Sequence, residues 1–326
     1  MGCSAVFPAV PTRAGMYESF YLRAVSPDQP VGVWIRHTVH KRPGQRAVGS
    51  LWCTVFDAGW PRPLMHKLTG EELTVPAGGW IALGDHASIG PGHSEGSCGD
   101  VRWSLHFTSS EPELRHLSPG WLYRAPLPRT KLTSPAPAAC FAGVLELRGQ
   151  SPIELDGWRG MVGHNWGSEH AERWIWLHVT GMREAPGAWL DVALGRLKIG
   201  GRMTPWVANG ALSLNGRRLR IGGLMARRAQ AEETVAGCRL RLGGAGGLEV
   251  EARVEVPPGS AAGWRYADPD GGEHDVVNCS IAAVELTVQL PDSGSRLALG
   301  TAHGGAYELG MRERDHGVPI APFPDG

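Results

Sequence analysis

The chain has 326 residues, 42% hydrophobic and 20% charged, so it is long enough for one large or two ordinary domains and too apolar to be mainly disordered. Its 32 basic and 32 acidic residues give a formal net charge of +0, which offers no general attraction to nucleic acid or to an anionic membrane surface. The 46 glycines and 25 prolines follow no short period, which excludes collagen and a coiled coil and favours a turn-rich all-β chain.

In chain order, Met1 to Pro8 lacks the basic start and unbroken apolar core of a secretory signal. No run of apolar residues is long enough for a transmembrane helix, so no integral membrane segment is expected and a cytoplasmic location is the default. The six cysteines are widely and irregularly spaced without a CxxC pair, and are expected as reduced, mostly buried thiols. Tyr17 to Ala24 and Val33 to Lys41 read as strands; in the second, Val33, Ile35 and Val39 share one face and Trp34, Arg36, Thr38 and His40 the other. Residues 49–57 are rich in β-formers, and Val101, Trp103, Leu105 and Phe107 alternate with polar residues. A short helix is conceivable over Pro112 to Tyr123. Pro126, Pro128, Pro135 and Pro137 suggest an extended connection. They divide the chain into an N-terminal β domain (15–125), a linker (126–139) and a C-terminal β domain (140–326); a rigid crossover within one domain is the other reading. Asn215-Gly216 between alternating runs marks a two-residue hairpin. The arginines beside it, Arg217, Arg218 and Arg220, with Arg227 and Arg228, read as a solvated face. Strands follow at Leu248 to Val256 and Ala282 to Leu290, and Asp315 to Gly326 reads as a tail or edge segment.

The unusual segment is Trp158 to Asp191, with five of the chain's 13 tryptophans and His164, His170 and His178. Read as a strand, Trp174 to Val179 puts Trp174, Trp176 and His178 on one face. In the next strand Trp189 and Asp191 project together, opposite Leu190, Val192 and Leu194. Gly181 and Gly187 suggest that the two form a hairpin whose indoles and carboxyl line one concave wall. Desolvated among indoles, Asp191 is either a protonated acid able to donate or a paired carboxylate. Gly163-His164-Asn165-Trp166-Gly167 reads as a tight turn whose polar groups hold a ligand or relay a proton, or else satisfy buried backbone. His164, His170 and His178 stand six and eight apart with no HExxH motif, so no metal site is expected. There is no P-loop, no GxGxxG unit, no GxSxG elbow and no cysteine motif marking a nucleophile, hence no expected cofactor.

These motifs resemble the tandem lipocalin-like superfamily of carotenoid 1,2-hydratases, AttH-like proteins, tocopherol cyclases and fungal Diels–Alderases. The carrying residues are Gly163-His164-Asn165-Trp166-Gly167, the following Trp174-Ile175-Trp176 strand and the Ala188 to Leu194 strand. The resemblance implies an all-β fold of two lipocalin-like antiparallel barrels or sandwiches side by side, with a ligand cavity in or between them. By resemblance to the hydratases, which use a His and Trp of the turn and a Tyr-x-Asp pair, His164 and Trp166 match the first two. Trp189 and Asp191 occupy the pair, with Trp189 lacking the phenol and Gly163 replacing an acidic residue. The expected function is cofactor-independent hydration or cyclisation of a small hydrophobic, isoprenoid- or polyketide-like molecule. Asp191 and His164 would be catalytic, and Asn165, Trp166, Trp174, Trp176, His178 and Trp189 would bind substrate. A non-catalytic lipid carrier of the same fold is the alternative.

Overall fold

The structure is a computed structural model that describes residues 3–223, 229–291 and 294–321. Alternating apolar residues need a covered face, and two antiparallel sheets supply it. Among the described residues the first sheet has twelve strands, from Met16–Val25 to Ile153–Gly167, and the second has ten, from Arg173–Val179 to Arg296–Met311. The two edges of the first sheet, Leu64–Glu71 and Leu73–Thr74, adjoin in sequence, and the sheet curls into a nearly closed barrel. Short 3-10 turns are the only helical elements described.

Each sheet encloses its own apolar core. Phe20, Leu22, Ala24, Val33, Ile35, Leu51 and Phe141 fill the first barrel. Ile175, Leu177, Val179, Leu190, Val192, Leu194 and Val250 belong to the second core. The outer face of the first sheet mixes buried polar residues with large indoles. Trp34 and Trp52 are 1% and 0% exposed and pack on Trp264, at 6.2 and 5.1 Å between ring centroids. These indoles join the two sheets along a seam.

Several expected elements stand as read: the Val101–Thr108 strand alternates strictly between buried and exposed. The Val207–Leu214 and Arg217–Gly222 strands form the Asn-Gly hairpin, with φ of 53° at Asn215 and 72° at Gly216. All six cysteines are free, although Cys140 is exposed.

Other readings are corrected. The proline-rich stretch is not an extended linker from Thr130 onward, because Thr130–Leu147 is a strand of the first sheet. Pro135 and Pro137 fall where its register slips, between Thr133, Ala136 and Ala139, so the missing N–H groups break no ladder bond. Gly163 to Gly167 is not a turn. It lies inside the Ile153–Gly167 strand, between Met16–Val25 and Thr130–Leu147, and so belongs to the first sheet; the chain changes sheet between Gly167 and Arg173. Pro112 to Tyr123 forms no α-helix but the short Leu114–Arg115 strand and a 3-10 turn over Gly120–Tyr123. Arg218 and Arg220 are not a solvated face: Arg218 pairs with Glu111 at 2.7 Å and Arg220 donates to the Arg115 and His116 carbonyls, clasping the second sheet to the first. Arg227 and Arg228 lie outside the described residues.

Candidate active site

The Arg173–Val179 and Trp189–Arg196 strands pair as a hairpin with His178 opposite Asp191. Period-two alternation sends Ile175, Leu177, Leu190 and Val192 into the second core and turns Trp176, His178 and Asp191 toward the first sheet. What they meet there is a tightly bonded polar seam rather than an indole-walled hollow.

Asp191 is 0% exposed. Its Oδ2 accepts from Ser134 Oγ at 2.5 Å and faces His116 Nε2 at 3.3 Å; its Oδ1 accepts from Trp176 Nε1 at 3.1 Å. His116 Nε2 also lies 3.1 Å from Ser134 Oγ, and Nδ1 donates to the Asn209 carbonyl at 3.2 Å. Both ring nitrogens therefore point at oxygen acceptors, a carbonyl on one side and a carboxylate on the other. Burial raises the Asp191 carboxyl, but the His116 charge and hydrogen bond, then His178 and Ser134, outweigh it and hold it down to about 2. Of the two states open from the sequence, the paired carboxylate is the one found. The arrangement is also no hydrolase triad, in which the imidazole separates Ser from Asp; here Ser134 gives its proton directly to the carboxylate.

His178 sits beside this cluster. Its Nε2 donates to the Pro137 carbonyl at 2.9 Å and its Nδ1 accepts from Arg23 at 3.1 Å. Burial and the Arg23 charge push its imidazole down to about 4, so it is neutral. Arg23 donates further to the Ser280 and Gly304 carbonyls at 2.7 and 3.0 Å, while its buried Nε has no partner. Tyr21 meets Trp176 edge-on at 5.6 Å, and burial together with the Asp191 charge raises its phenol well above its ordinary range.

His164 is elsewhere. Its ring stacks on Phe20 at 4.1 Å inside the first barrel, Nε2 is 2.7 Å from Glu18 Oε1, and Nδ1 is 3.4 Å from Cys3 Sγ. Glu18 also accepts from the Val6 and Phe7 amides, each at 2.8 Å, so the pair pins the N-terminal segment over the barrel. The bonding sets of Asp191 and His164 share no residue, because successive residues of the intervening strands point to opposite faces; the expected acid–base pair is not formed. Trp166 is half-buried, stacked on His164 at 4.5 Å and 6.0 Å from Tyr123. Asn165 accepts from Ser19 at 2.5 Å. Trp189, 1% exposed, lies under Arg218 with Leu114 and Ala211, away from Trp176. Gly163 has a steric cause: a Cβ there would run into the Tyr21 phenol ring, so no side chain, acidic or otherwise, fits with Tyr21 in place.

His170 leaves the supposed histidine triple as well. Its Nδ1 is 2.7 Å from Asp268 Oδ1, and His274 Nδ1 lies 3.7 Å from Asp268 Oδ2. Burial and the neighbouring His170 push His274 down to about 4. Trp174 adjoins both imidazoles, at 5.3 and 5.1 Å, and donates to Glu308 at 2.9 Å. A small cavity of about 10 Å³ beside them is lined by Tyr17, Glu18, Arg36, His40, His170 and Tyr266.

Glu18, Tyr21, His116, Ser134, Asp268 and His274 escaped the sequence reading. Apart from Asp268 and His274, which share a hairpin, their partners lie far along the chain, and no local motif carries such a pairing; the odd–even alternation of Tyr17 to Ala24 is the one signal that separates Tyr21 from Glu18.

The fold is one that the chain shares with several solved structures. No family model matches the chain. A putative AttH protein of Nitrosomonas europaea shares the fold with a TM-score of 0.56 at 14% identity, covering 95% of this chain and 97% of that one. CghA, solved with Sch210972, gives 0.61 at 14% identity over 95% and 94%. Kievitone hydratase of Nectria haematococca gives 0.57 at 8% identity over 95% and 96%. By sequence, an uncharacterized protein of Mycobacterium tuberculosis is 28% identical over 95% of this chain and 90% of that protein.

Proposed function

We propose that the protein is a cofactor-independent enzyme of hydratase or cyclase type, acting on a small hydrophobic, isoprenoid- or polyketide-like molecule at the seam between the two sheets. The observation that carries this is the fully buried Asp191 carboxyl, which accepts from Ser134 and Trp176 and faces His116. A buried ion pair stabilises a fold little better than apolar packing of the same size, so stability alone gives no reason for it. A carboxylate fixed in a dry site is instead oriented in advance for positive charge that develops in a reaction.

The roles follow from which groups hold protons. Asp191 is the base or cation-stabilising group, and His116 Nε2 and the Tyr21 phenol are the proton donors. For hydration of an alkene, His116 gives its proton to one carbon while water forms a C–O bond at the other. Asp191 takes the proton that the water loses. Ser134 Oγ touches both His116 Nε2 and Asp191 Oδ2, at 3.1 and 2.5 Å, so the proton returns through it to His116 and the site resets. Trp176 presents its indole face to cationic character. Tyr21 supplies from the Met16–Val25 strand the phenol that Trp189 lacks. Substrate enters by displacement of the 117–129 excursion, which carries no strand pairing, begins at His116, and exposes Trp121 and Leu127 at 59% and 57%.

The test is incubation with unsaturated isoprenoid and polyketide-like compounds, read by mass spectrometry for a product heavier by one water or an isobaric cyclised product. Asp191→Asn should remove turnover and keep ligand binding, read from tryptophan fluorescence. Retained turnover in that variant overturns the assignment, and binding without turnover in the wild type supports a carrier instead.

A further inference from the structure

A second cluster at the seam has the composition of a metal site. We propose that His170, Asp268 and His274 bind a first-row divalent transition metal, with Zn²⁺ as the representative ion, and that the ion closes the crossover between the two sheets. One donor atom from each residue lies within 4.8 Å of the other two. Two imidazoles and one carboxylate make a three-ligand set of the kind that leaves a coordination position open. Ligands about 2.1 Å from a tetrahedral ion stand about 3.4 Å apart, so small side-chain rotations close the set.

The second observation is that the donors are buried and underused. The side chains of His170, Asp268 and His274 are 8%, 1% and 0% exposed. Even so, His170 Nε2, Asp268 Oδ2 and both nitrogens of His274 have no hydrogen-bond partner. Buried polar atoms are nearly always paired, and four orphans converging on three side chains point to a missing partner that accepts lone pairs. Several orphan nitrogens and a carboxylate oxygen meeting in one place suit a cation better than water alone.

The surroundings fit. Asp268 and His274 are held by one hairpin, whose turn is fixed by bonds from Asp268 N to Gly272 O at 2.6 Å and from Gly271 N to Asp268 O at 2.9 Å. His170 comes from the 168–172 connection between the sheets and is clamped by its own amide to Asp268 Oδ1 at 2.8 Å. Tyr17 stacks on His170 at 3.9 Å, and Trp174 and Tyr266 complete an aromatic shell that keeps bulk water out. Glu308, bonded by the neutral donors Trp174, Tyr266 and Asn278, adds negative charge next to that shell. The cavity of about 10 Å³ beside His170 has room for one water as a fourth ligand. The site is separate from the Asp191 cluster, and its test needs no substrate.

The experiment strips the purified full-length protein with chelator, adds Zn²⁺, removes excess by gel filtration and measures retained metal by mass spectrometry. About one ion per chain is expected, with a rise in Tm on zinc addition. His274→Gln and Asp268→Asn should each lower retained zinc at least ~10-fold with an unchanged far-UV circular dichroism spectrum. His86→Gln, at an exposed imidazole, should retain it fully. Co²⁺ should give the visible absorption of a four- or five-coordinate site in the wild type and not in His274→Gln. Wild-type protein that keeps no stoichiometric zinc overturns the proposal, as do full retention by folded His274→Gln and loss in His86→Gln. If His274→Gln fails to fold, Asp268→Asn and the wild-type cobalt spectrum decide the matter.

Discussion

Two buried carboxylate–imidazole pairs flank the strands where the sheets meet, and the residue types alone do not separate them. Glu18 and His164 face into the first barrel, and the remaining acceptor capacity of Glu18 is taken by the Val6 and Phe7 amides. Asp191 and His116 face the seam, where Asp191 has only side-chain partners, Ser134, Trp176 and His116, and His116 also donates to the Asn209 carbonyl. The first pair is a latch that ties the N-terminal segment to the barrel. In the proposed reaction the second is a proton circuit next to a phenol and an indole. The difference teaches that the neighbours of a buried pair, more than its own chemistry, decide whether it holds a chain or has a proton to move.

The sharpest way to break this contrast is to neutralise each carboxylate in turn. Asp191→Asn should lower kcat by about 100-fold or more and lower Tm as well, because it takes from His116 its buried charge partner. Glu18→Gln should leave kcat within about threefold but cost about 2 kcal/mol in urea unfolding and expose the N-terminal residues to protease. Equal effects in the two variants would erase the distinction.

Acid separates the two kinds of buried group next. Burial pushes His37 down to about 3 and His178 to about 4, from an ordinary 6.5, so the folded chain binds fewer protons than the unfolded chain between pH 6.5 and 4. Stability is therefore full above pH 6.5 and falls as pH drops, by about 2 kcal/mol per histidine at pH 5. Asp191, held at about 2 against an ordinary 3.8, stabilises at every pH above 3.8 and loses that contribution only as pH falls toward 2. Urea midpoints at pH 7 and pH 5 measure the first window, to which His274 contributes as well, and His178→Gln should flatten it by about a third.

A smaller effect tests the steric link between the motif and the seam. Gly163→Ala should push the Tyr21 ring aside and destabilise by about 1–3 kcal/mol, with a matching loss of kcat if the phenol donates a proton. The smallest is at the cover: Trp121→Ala should change stability by less than about 0.5 kcal/mol, and should alter KM more than kcat if the 117–129 excursion admits substrate.

The strands and their faces were legible in the sequence because a pleated chain alternates with period two, whatever surrounds it. That is why Trp176, His178 and Asp191 were assigned to one face, and the Asn215-Gly216 hairpin placed, without coordinates. The resemblance carried by Trp166, Trp174 and Trp176 reached the fold in the same way. Which face looks at which is a long-range matter. Pro135 and Pro137 resembled a linker until register shifts gave them places in a strand, and Gly163 resembled a turn until Tyr21 was seen to fill its missing side chain. Asp191 could be read as a protonated acid among indoles because desolvation is a local expectation. The imidazole that keeps it charged, His116, lies 75 positions earlier in the chain, and only folding brings it to 3.3 Å. Electrostatic partners act through distance in space, which the order of residues does not encode, so the fold was written locally and the candidate site was decided by the tertiary structure.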